Sequence, residues 1–283
     1  IVAGLPSYPT AIAIAPTSPT TFYATVRSYG VYKSTNSGLN FSNINSSAMQ
    51  SFLAGDAGRF AQYIDVSPVD SNYVFVAFNR KAFYYSQNAG VTWNAPTTSD
   101  ESNVDGWVSG SLSGYNYAST FNYLASPIAV HPTNKNILLT IGESGDIKKS
   151  TDGGVNFRYS NTGFTGGGAG GDPRDTDISR ISWNSANRFV MFLTDTGPFL
   201  TEDGGSTFRS LKSPSSVDLG WQTSTLSGAI DPTLNSNIVV TATGTWGIQR
   251  INITRNANVA YPSWPSWTTI SGSDANYQYI AFH

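Results

Sequence analysis

Side chains that could do chemistry concentrate in two stretches of this sequence. "TGGGAGGDPRDTD" brings Asp172, Arg174, Asp175 and Asp177 close together. That grouping is compatible with a calcium site, with a catalytic patch, or with plain exposed ion pairs. Its glycines resemble a phosphate cradle only superficially, because neither the lysine nor the following helix of a nucleotide loop is present. The second stretch, "NAPTTSDESNVDGWVSGSLSGYNYASTFNYLAS", carries Trp107, Tyr115 and Tyr117. Flat aromatic rings among small polar groups suit sugar faces or a protein partner; equally, these rings can fold their own loop down onto the body.

The composition removes several other chemistries. The chain has no cysteine and only two histidines, His131 and His283, which leaves no thiol nucleophile and no Cys/His metal site, and no cofactor is expected. Sixteen basic residues face 18 acidic ones without a run of like charge, so nucleic acid is not an expected partner. No apolar stretch approaches the roughly twenty residues of a membrane helix. The opening "IVAGLPSYPT" has neither a basic start nor a signal-like apolar segment, and it lacks Met. It is read as the start of a processed form or of a piece of a longer polypeptide. A neutral surface of Ser, Thr, Asn, Gly and Tyr points to an extracellular, secreted, virion or cell-surface location.

What positions these loops is a repeat. The phrase Ser/Thr-x-Asx-x-Gly-x-Thr/Asn-aromatic occurs four times: "STNSGLNF", "SQNAGVTW", "STDGGVNF" and "TEDGGSTF". The residues concerned are Ser34, Asn36, Gly38 and Phe41; Ser86, Asn88, Gly90 and Trp93; Ser150, Asp152, Gly154 and Phe157; and Thr201, Asp203, Gly205 and Phe208. A hydroxyl and an Asx side chain that bind turn amides, then a Gly for positive φ, make a tight turn between strands. The closing aromatic is expected to tuck beneath it.

Twenty residues before each phrase stand Ile14, Val66, Val130 and Ile181; eighteen before stand Pro16, Pro68, Pro132 and Trp183. Each unit therefore reads as an alternating strand, a short Pro-type turn, a second strand, a third strand running into the phrase, and a fourth starting at its aromatic. His131 is read as a cap of its Pro-turn. A fifth unit, "GAIDPTLNSNIVVTATGTWGIQRINI", lacks the phrase, and "YQYIAFH" restarts the pattern. Repeated four-stranded units predict an all-β chain: one β-propeller over 1–283 with blades at about 11–45, 64–97, 128–160, 178–211 and 227–270. Residues 279–283 would begin another blade or close the ring.

The phrases resemble the Asp-box, or BNR, repeats of sialidases, sortilin-type receptors, photosystem assembly factors and the xyloglucan-degrading glycoside hydrolases of family 74. Asp-boxes are structural in all of these, so the resemblance implies a fold and no activity. "FLTDTGPFLTEDGG" is in addition similar to the family 74 "RTD-x-GG" stretch, and "AIDPTLNSNIVVTATGTWGIQ" to the opening of that family's second propeller. This likeness puts a catalytic base on Asp195, with Pro198 replacing a glycine. It puts the acid near Ser227, where neither Ser227 nor Gly228 is a carboxylate, so the pair that glycoside hydrolysis uses is incomplete there. A hydrolase would need Glu143, Asp146 or polypeptide outside this chain as acid. Read without the likeness, Asp195 belongs to an Asp-Thr-Gly turn. No Arg-Ile-Pro stretch of the sialidase kind is present.

In an up-and-down sheet the first and third turns share one side, while second turns and crossovers share the other. The Asp-boxes therefore fall on a scaffold side, and the long crossovers on the opposite, functional one. Ligand contacts are expected from Tyr29, Arg80, Trp107, Asp195, Trp221 and Trp246. The expected role is a non-catalytic glycan- or protein-binding module, alone or as part of a larger assembly; the alternative is a family 74-type hydrolase of β-glucan or xyloglucan.

Overall fold

The computed structural model describes residues 3–55, 59–78, 82–97, 128–141, 147–160, 178–183, 189–193, 197–211, 225–233, 238–243, 247–253 and 268–271. Its strands form five antiparallel meanders. Sheet 1 holds β1 (Pro9–Ile14), β2 (Phe22–Val26), β3 (Gly30–Ser34) and β4 (Ser42–Asn43); sheet 2 holds β5 (Ala61–Val66), β6 (Val74–Phe78) and β7 (Ala82–Ser86). Sheet 3 holds β8 (Ile128–Val130), β9 (Leu138–Ile141), β10 (Ile147–Ser150) and β11 (Arg158–Tyr159). Sheet 4 holds β12 (Ile178–Trp183), β13 (Phe189–Leu193), β14 (Gly197–Thr201) and β15 (Arg209–Ser210); sheet 5 holds β16 (Thr225–Ile230), β17 (Ile238–Thr243), β18 (Gly247–Asn252) and β19 (Thr268–Ser271). Sheets 1 to 3 belong to one compact unit and sheets 4 and 5 to another.

Inside the first unit the sheets pack face to face, which explains why strands such as "VFVAF" are apolar without alternation. Val74, Val76 and Phe78 of β6 pack with Tyr23 and Val31 of sheet 1, whereas Phe75 and Ala77 pack with Ile128, Val130 and Leu138 of sheet 3. In the second unit, Leu200 and Leu211 pack with Ile230, Ile251 and Ile253.

Register is the same from sheet to sheet. The first residue of each second strand pairs with the hydroxyl residue that opens the repeat phrase: Phe22 with Ser34, Val74 with Ser86, Leu138 with Ser150 and Phe189 with Thr201. On its other side it pairs with the last residue of the first strand: Ile14, Val66, Val130 and Trp183. Trp183, not Ile181, is thus the equivalent of Val66. The connection after β12 is two residues shorter than its counterparts, so counting back a constant distance from the phrase slips by two there.

Three features differ from the sequence reading. The fourth strands begin one residue after the aromatic, and in sheet 2 the fourth strand shrinks to a single bridge, Tyr85 with Asn94. The first strands of sheets 1, 2, 4 and 5 each shift register at the same place, between Pro9 and Ala11, Ala61 and Tyr63, Ile178 and Arg180, and Thr225 and Ser227. A bulge there adds a residue and sharpens the twist where the chain enters the sheet from a crossover. Finally, the crossover after sheet 1 contains a helix, α1 (Ser47–Ala54). Ser46 caps it by accepting the Met49 N–H at 3.3 Å, and Met49, Phe52 and Leu53 turn inward at helical spacing. That spacing and the serine were readable signals.

Phe157 is buried against Phe83, ring centroids 5.4 Å apart and edge to face. Phe157→Ala is expected to cost about 3–5 kcal/mol through cavity formation. Equilibrium urea unfolding checks this; an unchanged midpoint would contradict the packing described.

Candidate functional site

The four third turns share one hydrogen-bond scheme. The opening hydroxyl donates to the Asx Oδ1, from Ser34 to Asn36, Ser86 to Asn88, Ser150 to Asp152 and Thr201 to Asp203, at 2.8–3.0 Å. The same hydroxyl oxygen accepts the N–H of Gly38, Gly90, Gly154 or Gly205, also at 2.8–3.0 Å. The Asx Oδ1 then accepts the N–H four residues on, at Asn40, Thr92, Asn156 or Thr207. Burial works to raise the Asp152 and Asp203 carboxyls, but the hydrogen bonds from Asn156, Ser150, Thr207, Thr201 and Ser206 outweigh it and hold both below the usual carboxylate range.

Phe41, Trp93, Phe157 and Phe208 are all buried. In sheets 1 to 3 the third turn also meets the first turn of its own sheet, where Thr20, Asn72 and Asn136 accept the N–H groups of Ser37, Ala89 and Gly153. First and third turns therefore share a side. The turn of sheet 2 is seated on sheet 1: the Ala89 carbonyl accepts from Tyr23 Oη at 3.2 Å and Lys33 Nζ at 2.8 Å, and Trp93 Nε1 donates to the Ile44 carbonyl at 2.8 Å. These side chains are consumed by the scaffold. The His131 ring is used locally as well, its Nδ1 accepting the Thr133 N–H at 3.1 Å.

The opposite side offers different chemistry. Among the described residues the second turn of sheet 1, α1 and the entry to β5 lie there. Tyr29 sits at the tip of its turn, half exposed. Its carbonyl accepts from Asn43 Nδ2 at 3.2 Å and Asn45 Nδ2 at 2.7 Å, and Asn45 Oδ1 accepts the Val31 N–H at 2.7 Å. Gly30 has φ +90°, and a Cβ there would lie 2.2 Å from Asn45 Oδ1, so the turn that carries Tyr29 requires glycine at this position.

Next to it the Arg27 guanidinium lies 4.6 Å from the centre of the Phe60 ring, while the Arg27 carbonyl accepts the Ala61 N–H at 2.9 Å. Arg59 lies 4.7 Å from the Phe52 ring and donates to the Phe52 carbonyl at 3.0 Å near the end of α1. Neither arginine is in an ion pair among the described residues. Two ring-stacked guanidiniums and an exposed tyrosine can bind carboxylate, carbonyl or hydroxyl oxygens and an apolar ring face.

The acidic residues among those described are each engaged locally. Asp65 Oδ1 accepts the Val66 N–H at 2.8 Å, and the carboxyl also accepts from Val130 N on β8, which ties the first strands of sheets 2 and 3 together. The residue keeps some exposed surface, yet its carboxyl lies deep between the strands, and burial pushes it up to about 7 against the lowering effect of those two amides. Asp70 meets Lys135 at 2.6 Å, Glu202 meets Arg209 at 2.8 Å, and Asp231 holds the Thr233 N–H at 2.9 Å. No group of three or more His, Cys, Asp or Glu among the described residues could hold a metal ion. No helix among them is long and apolar enough to cross a membrane.

Of the expected contact residues, Tyr29 stands on the second-turn side; Arg80, Trp107, Asp195, Trp221 and Trp246 lie outside the described residues. So do Tyr115, Tyr117, Glu143, Asp146, the Asp172–Asp177 cluster and residues 279–283. Ser227 and Gly228 are strand residues of β16 paired with Ala242 and Thr241. Arg27, Arg59 and Phe60 were not singled out from the sequence; an arginine next to an aromatic at a crossover end was the available signal.

Comparison with known proteins places this architecture. No family model matches the chain, and no curated protein matches it. Among solved structures it is similar to an ancestral GH74 enzyme, with a TM-score of 0.61, 15% identity and coverage of 98% of this chain and 35% of that one. It is also similar to the GH74 xyloglucanase from Xanthomonas campestris, with a TM-score of 0.55, 12% identity and coverage of 87% and 37%. A third similar structure is YCF48 bound to D1 peptide, with a TM-score of 0.51, 9% identity and coverage of 95% and 75%. The chain thus spans little more than a third of the GH74 structures. The fold is that of a β-propeller, nearly all-β and built from antiparallel sheets.

Two stability predictions follow from this geometry. Ala89 holds φ +57° at a place where sheets 3 and 4 have Gly153 and Gly204. Ala89→Gly should therefore raise stability by up to about 1 kcal/mol in urea unfolding, the relief of left-handed strain exceeding the added chain entropy. Asp65 holds its proton more tightly when folded, so its contribution declines as pH rises from about 4 to about 7 and levels off above. Asp65→Asn should flatten that part of a Tm–pH curve. Parallel curves for the two proteins would show that Asp65 does not titrate as described.

Proposed function

We propose that this chain is a non-catalytic binding module whose contact surface is the side bearing the second turns and crossovers, and whose partner is a protein or glycan outside the cell or on a particle surface. The observation that carries this reading is a division of labour. The described acidic side chains are spent on structure, whereas the Tyr29 turn is held by Asn43 and Asn45 and the Arg27 and Arg59 guanidiniums, stacked on Phe60 and Phe52, form no ion pair among the described residues. Aromatic and arginine side chains on such a platform are the residue types that dominate binding energy. In this reading the four third turns are Asp-boxes, five blades occupy about 11–45, 64–97, 128–160, 178–211 and 227–270, and Arg80, Trp107, Asp195, Trp221 and Trp246 extend the contact surface. YCF48, solved with a bound D1 peptide, illustrates a propeller of this class that binds a polypeptide.

Likeness to GH74 enzymes supports a second reading, a hydrolase of xyloglucan or another β-glucan with Asp195 as base. Two assays on the same preparations separate the readings. A glycan array and a crosslinking screen should find partners lost on Tyr29→Ala or Arg59→Ala, by about tenfold or more in affinity for a central contact, and no sugar should be released from xyloglucan. Turnover that disappears in Asp195→Asn would replace the binding module with the hydrolase.

A further inference from the structure

We infer that the Ile12–Ile14 side of sheet 1 is an interface for one further four-stranded sheet of this same repeat. Equivalence by register makes the case. Ile12, Ile64 and Ile128 pair with the corresponding second-strand residues Ala24, Val76 and Thr140, and Ile14, Val66 and Val130 with Phe22, Val74 and Leu138. In sheets 2 and 3 these side chains point at the preceding sheet and are sealed by it. Ile64 and Val66 are 2% and 4% exposed among Tyr23, Val31 and Ala15 of sheet 1; Ile128 and Val130 are 2% and 6% exposed among Phe75, Phe83 and Tyr85 of sheet 2. In sheet 1 the same two positions are 57% and 52% exposed. A first strand that keeps the apolar residues of a packed interface, in the register of a packed interface, is shaped for the sheet that packs on its equivalents.

The outer margin of that place is already marked. Ala3 forms a parallel bridge with Asn40 and its carbonyl accepts the Phe41 N–H at 2.9 Å, while Leu5 is buried with Ala24, Val26, Tyr32 and Phe41. On the third turn of sheet 3 the corresponding place is taken by Thr97, at the outer end of sheet 2, which donates to the Val155 carbonyl at 2.8 Å. Residues 3–5 thus sit where the outer end of a preceding sheet sits, and the inner strands of such a sheet would cover Ile12 and Ile14. The occupant's chemistry follows from sheets 1 and 2. It presents small residues on its first strand, as Ala11, Ala13 and Ala15 do, and aromatic or aliphatic residues on the next two. It also carries a donor for the Ser37 carbonyl, as Tyr23 and Lys33 serve Ala89.

The chain has no cysteine, so a single introduced thiol reports this surface. The probe sheet is a second copy of residues 3–60 fused ahead of residue 9, because Ala61 and Pro9 hold the same register position. Ile12→Cys in the unextended chain should react rapidly with a thiol reagent. In the extended chain the Cys adjoining the added sheet should react at least about tenfold more slowly, approaching the buried reference Ala77→Cys, since labelling would then require local opening. The melting temperature should rise in parallel. Three results would overturn the inference: rapid labelling that persists beside the added sheet, slow labelling in the unextended chain at every concentration, or protection that grows with concentration as two copies meet face to face.

Discussion

Everything in the first unit depends on one small knot, a hydroxyl that donates to an Asx side chain while accepting the N–H of a glycine four residues on. The knot closes the third turn, and by closing it fixes where the next large aromatic enters the core. Through Trp93 and the Ala89 carbonyl it joins sheet 2 to sheet 1 by three hydrogen bonds from side chains. Without it, the aromatic has no defined direction and the backbone carbonyls of the turn have no reason to face the neighbouring sheet. The pairing of each opening hydroxyl residue with the start of a second strand shows that the same knot also sets register.

This dependence explains how much of the fold could be read from the sequence. The knot needs particular residue types at fixed separations, so it leaves a readable phrase, and the strands on either side inherit their positions from it. What the knot does not control was not legible. The first-strand bulges leave no compositional mark, because the extra residue is Thr, Gln or Leu as readily as anything else. The shortened connection before Phe189 moved Trp183 into a slot assigned to Ile181. Helix α1 lay in a crossover, where a repeat argument has nothing to say, although Ser46 and the Met49–Phe52–Leu53 spacing carried the local signal.

The candidate site shows the same boundary from the other side. Strand parity alone located the side on which Tyr29 stands, because turn order in a meander is a topological consequence of strand order. It did not identify Arg27 or Arg59, whose importance comes from rings 4.6 and 4.7 Å away that belong to different elements. Contacts of that kind are made by tertiary packing and leave no spacing in the chain. Asp65 is a similar case: nothing in "YIDVSP" announces that its carboxyl will lie between two strands and take an amide from Val130.

The outermost strands of sheets 1, 3 and 4 are two residues long, and that of sheet 2 is a single bridge. A sheet's free margin is the natural template for another chain to add strands, and a protein with a formal charge of only −2 has little electrostatic repulsion to prevent it. Margins of two residues offer too few unpaired amides to hold an incoming strand. The brevity that makes these strands look vestigial leaves a weakly charged, strand-rich chain little backbone to offer an incoming strand at the rims of sheets 1 to 4.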